Sequence, residues 1–111
     1  MLTILNAFSP GMLPVGVTTV TFSDISVEQA RTLIVPGYVS AVGHADTAAL
    51  LGDKLGVPVP ANRVSVAIPA RAYGVAPWTS LIGQYSGPRL PEGTTTLPEG
   101  ASIRWIAVYV D

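Results

Sequence analysis

Cysteine is absent from the 111 residues, and histidine occurs once, as His44. Disulfide scaffolds, zinc fingers, thiol nucleophiles and multi-histidine metal centres are thereby excluded. Any chemistry falls to His44, carboxylates, hydroxyls and arginines. Charge is also scarce: charged residues make up 12% of the chain and the net charge is -1. The basic excess of a protein that wraps duplex nucleic acid is missing, so no duplex DNA partner is expected, although a small anion held by a few arginines fits. No apolar run approaches the roughly 18 residues of a membrane span, and no basic stretch precedes an apolar one at the amino terminus. A cytoplasmic protein with no membrane contact is expected.

What the chain does have is glycine and proline, 11 and 10 residues, without a triplet period. Together with 49% hydrophobic residues, this describes short elements joined by tight turns around one core, a single domain over residues 1–111. Strands are expected at Leu2–Ala7, Val17–Phe22 (near an edge), Tyr38–Val42, Arg63–Ile68, Trp78–Tyr85 and Ile103–Val110, from apolar runs and alternation. Ser26 with Glu28 and Gln29 starts a helix that Pro36-Gly37 stops. A second helix, His44–Leu55, places Ala48, Leu51 and Leu55 on one face and is closed by Gly56. The implied class is α/β, a mixed sheet of about five to six strands flanked by two helices. Leu90-Pro91-Glu92-Gly93 is echoed by Leu97-Pro98-Glu99-Gly100, a repeated turn rather than a solenoid.

His44 falls where a strand ends in Gly43 and a helix begins. Free backbone N–H groups and the positive end of the helix dipole favour an anion there, and glycine lets it approach. The plainer alternative is a capping or surface histidine. Arg63 and Arg89 each carry the donor fork that grips phosphate, though singly such residues are usually solvated or paired with a surface carboxylate. Glu92 sits in ordinary turn composition. Asn6 and Ser9 read as the end of the first strand and its turn. Trp78, Trp105, Tyr38, Tyr85 and Tyr109 lie in strands, where aromatics are core or dimer interface more often than platforms for bases.

Taken in order, Leu5-Asn6-Ala7-Phe8-Ser9 with Met12-Leu13, Ala41-Val42-Gly43-His44 with Thr47-Ala48, Asn62-Arg63, and Arg89-Leu90-Pro91-Glu92-Gly93 resemble the viral ring nuclease family, the type III anti-CRISPR proteins. The resemblance spans residues 2 to 93. It implies a homodimer that binds and cleaves cyclic tetra-adenylate, the second messenger of type III CRISPR defence, in the cytoplasm of a host cell if the protein is viral. It further implies His44 and Glu92 as catalytic residues and Asn6, Ser9, Gly43, Arg63 and Arg89 as substrate-binding ones, with no metal and no cofactor. The competing expectations are a non-catalytic cyclic-nucleotide sponge, a viral nucleic-acid-binding protein, or an interaction module whose aromatic strands only make a dimer.

Overall fold

The computed structural model describes residues 2–16, 19–71, 77–91 and 93–111. Among them five strands and two helices follow one another as β1 (Leu2–Leu5), β2 (Val20–Ile25), α1 (Val27–Leu33), β3 (Tyr38–Ser40), α2 (Ala45–Leu55), β4 (Ser80–Ser86) and β5 (Ser102–Val110), with a short 3-10 turn at Pro10–Met12. The sheet order is β2-β5-β4-β1-β3. β1 runs parallel to both β3 and β4, whereas β5 is antiparallel to β4 and β2. The mixed α/β sheet expected from the sequence is therefore present, with β2 at an edge.

Local signals set the helices. Ser26 accepts a bond from the Gln29 N–H while the Gln29 side chain receives that of Ser26, a reciprocal capping box at the start of α1. α2 ends at Gly56, whose φ of 74° lies in the left-handed region and whose N–H returns to the Gly52 carbonyl. Both helices cover one face of the sheet. Ala30 and Ile34 from the α1 end and Ala48, Leu51 and Leu55 from α2 pack on Leu2, Ile4, Leu81 and Trp105. The opposite face carries Leu5, Ile82, Ile106, Val108 and Val110 and is covered by Phe8, Met12, Leu13, Val66 and Ile68 from connecting segments.

Two expectations are corrected. Arg63–Ile68 is not a strand. It belongs to a long strap that leaves α2, follows the β3 edge, then crosses the second face with isolated backbone bonds, Ile68 N–H to the Met12 carbonyl at 2.7 Å and Arg71 N–H to that of Val110 at 2.8 Å. Its alternation is only partly matched by burial: Val66 and Ile68 settle on the core whereas Val64 stays exposed, and a strap can share such a pattern with a strand. Likewise β5, whose aromatics could serve as core or as dimer interface, does not offer an apolar dimer face: it is an interior strand whose Trp105, Ile106, Ala107, Val108 and Val110 are all buried within the chain itself.

Candidate functional site

Because β1, β3 and β4 are parallel neighbours, their carboxyl ends lie along one rim of the sheet, the place where open α/β sheets hold ligands. Asn6 follows β1, Gly43 and His44 follow β3, and Arg89 lies three residues past Ser86 at the end of β4. Four of the residues singled out in the sequence thus reach the same rim from three strands. The strap brings a fifth, Arg63, whose aliphatic stem lies against Gly43: a Cβ built on that glycine would be 3.5 Å from Arg63 Cγ. Since that is ordinary contact and Gly43 has no positive φ, the backbone there does not require glycine. Its openness is occupied by the arginine stem.

His44 is the N-cap of α2, with extended backbone angles and no side chain capping the helix. The first-turn N–H groups are left without intrahelical partners. Just ahead of them, Asn6 Oδ1 accepts a long bond from the Gly43 N–H, 3.5 Å, which ties the β1 end to the β3–α2 junction. A cleft of about 560 Å³ opens beside this helix start, lined by Ala45, Asp46, Arg89, Leu90 and Pro91. His44, Arg63 and Arg89 are exposed. The ion pairs among the described residues, Lys54–Asp53, Arg71–Asp111 and Arg104–Asp24, include none of the three. Two guanidinium groups, an imidazole and unpartnered helix N–H groups on one rim can bind a phosphodiester and hand a proton to it.

A second cleft, about 700 Å³, lies at the opposite ends of β1 and β4 near Leu2, Thr79 and Arg71. Arg71 there is already held by Asp111 at 2.7 Å and stacks 4.3 Å from the Tyr109 ring centroid, so its charge is spoken for. The exposed Ser9 hydroxyl accepts the Gly11 N–H at 3.3 Å and caps the 3-10 turn. Glu92 lies outside the described residues. Near the two copies of the repeated turn, the Thr94 N–H donates to the Pro91 carbonyl and the Ala101 N–H to the Pro98 carbonyl, with Gly93 and Gly100 at positive φ. Sequence reasoning missed Asp46 as a cleft residue and missed Ser40 as a strap anchor. The first was visible only as a first-turn acid, the second only as a serine within a strand.

The sequence profile of the STIV B116-like family matches residues 2–100. The chain belongs to that family. In a comparison of structures it is similar to B116 of Sulfolobus turreted icosahedral virus, with a TM-score of 0.68, 22% identity and 97% of each chain covered. At that identity the likeness establishes a shared fold, in a family named after a viral protein. Curated proteins gave no match. No helix among the described residues is long and apolar enough to cross a membrane.

Proposed function

We propose that this STIV B116-like protein is a ring nuclease, a viral anti-CRISPR enzyme that cleaves cyclic tetra-adenylate in the host cytoplasm without a metal. One observation supports the reading: five of the seven site residues that the ring nuclease resemblance implies, Asn6, Gly43, His44, Arg63 and Arg89, far apart in sequence, lie along the rim at the carboxyl ends of three parallel strands.

In the proposed reaction the ribose 2'-hydroxyl attacks the adjacent phosphorus and gives up its proton to water or, where Glu92 assists, to that carboxylate. A bond from the 2'-oxygen to phosphorus forms, the bond to the 5'-oxygen breaks, and the products are linear adenylates ending in 2',3'-cyclic phosphate. Arg63, Arg89 and the α2 N–H groups neutralise the phosphate, and His44 delivers a proton to the departing 5'-oxygen. Asn6 and Ser9 orient ribose or phosphate, and Glu92 steers His44 or Arg89 or assists the 2'-hydroxyl. A ring of identical nucleotides has two-fold symmetry, so a C2 homodimer would present equivalent sites to opposite phosphates. A few aimed arginines from two chains then suffice, consistent with a net charge of -1.

The test is incubation of purified protein with labelled cyclic tetra-adenylate in excess EDTA. Cleavage to 2',3'-cyclic phosphate ends is expected. Retention of the intact ring would point to a sponge, neither outcome to an interaction module, and a strict requirement for added magnesium or manganese would overturn the mechanism.

A further inference from the structure

Arg63 is exposed and lies part-way along a strap that has no backbone ladder to hold it, yet its position at the rim is what a phosphate contact would depend on. The strap sequence explains both facts. Pro58 and Pro60 have no N–H to donate to β3, and their carbonyls accept from side chains of β3 at the same two-residue interval: Tyr38 Oη donates to the Pro58 carbonyl, and Ser40 Oγ to that of Pro60 at 2.6 Å. At the next step Asn62 closes the series, its N–H donating to the Val42 carbonyl at 2.8 Å and its Nδ2 to the Ser40 carbonyl at 2.8 Å. Ser40 is only 6% exposed, and its hydroxyl also accepts the Val42 N–H at 3.3 Å. A buried hydroxyl bonded to both the strap and the β3 end fixes the register between them. A slip of one residue in an extended segment turns every side chain to the other side, and Arg63 would leave Gly43.

We propose that Ser40, with Asn62, is a positioning residue that latches the strap to β3 and so sets Arg63 at the mouth of the ligand site. The use of that arginine toward cyclic tetra-adenylate rests on the function proposed above; the placement itself does not. A serine serving only local satisfaction would affect stability and leave Arg63 where it is.

Two readouts separate these roles. With the Arg63 stem this close to Gly43, the Arg63 γ-protons should give a proton NMR cross-peak to the Gly43 α-protons in the parent protein; Ser40→Ala is expected to abolish it, and its persistence would overturn the latch. In calorimetry with cyclic tetra-adenylate, on a His44→Ala background to prevent turnover, Ser40→Ala is expected to weaken binding about 3- to 10-fold and to add nothing once Arg63→Ala is present, the non-additivity of residues that act through one another. An equal loss with and without Arg63 would overturn the proposal. If the His44→Ala parent binds no ring, the functional reading falls while the cross-peak still decides the latch. Should Ser40→Ala fail to fold, Asn62→Ala at its exposed position carries the same two measurements.

Discussion

Gly83 on β4 faces Trp105 on β5, and a Cβ at position 83 would lie 2.9 Å from Trp105 Cζ3 and 2.6 Å from Leu51 Cδ2. The missing side chain is the space into which an indole of the sheet and a leucine of α2 both settle. Through Leu51 it also sets how closely α2, whose first residue follows His44, seats on the sheet.

Gly83→Ala is therefore expected to destabilise the fold by about 1–3 kcal/mol, as overpacking of a filled core does. Urea denaturation checks it. An unchanged midpoint would mean that Trp105 or Leu51 can withdraw freely.

Between the edge strand β2 and its neighbour β5, Arg104 grips Asp24 with two bonds, Nε to Oδ1 at 2.6 Å and Nη2 to Oδ2 at 2.9 Å. The hydrogen bond from Arg104, aided by its charge, holds the Asp24 carboxyl below its ordinary value of 3.8. A lowered folded-state value means the stabilisation is present above 3.8 and is lost as the pH falls through the folded-state value. Asp24→Asn should lower the urea midpoint slightly near neutrality and not at all in strong acid, and added salt should shrink the difference because both side chains are exposed.

Removing the proposed proton donor should leave the ligand bound but uncut. His44→Ala is expected to slow ring cleavage by about 10² to 10⁴ with the dissociation constant nearly unchanged, whereas Arg63→Ala or Arg89→Ala should raise the dissociation constant and flatten its salt dependence. Cleavage by His44→Ala at the parent rate would move the acid to another group.

Stoichiometry tests the proposed assembly. Calorimetry of the His44→Ala variant should give one ring per two chains, with a dimeric mass by light scattering. One ring per monomeric chain would reject a shared site even if cleavage were observed. Since β5 is interior, the dimer contact should be sought elsewhere, with the exposed apolar residues Phe22, Val39 and Val64 as the first positions to label.

Features written in a few neighbouring residues were legible before any fold was known. The helix start at Ser26, the Gly56 helix stop and the apolar run of β5 each depend on residues no more than a few positions apart, and all are present. Alternation misled at Arg63–Ile68. A periodic apolar pattern reports that one side is buried but not what supplies the hydrogen bonds, and here Tyr38, Ser40 and Asn62 anchor the strap that leads into it. The Pro58 and Pro60 spacing was the available sign that no ladder could form just ahead of it. His44 at a helix start could be read from Gly43 and the following helical pattern, because a helix terminus is a local event. The meeting of His44 with Asn6, Arg63 and Arg89 could not. It requires β1, β3 and β4 to lie side by side in parallel, a pairing between segments tens of residues apart that only burial of their shared apolar faces selects.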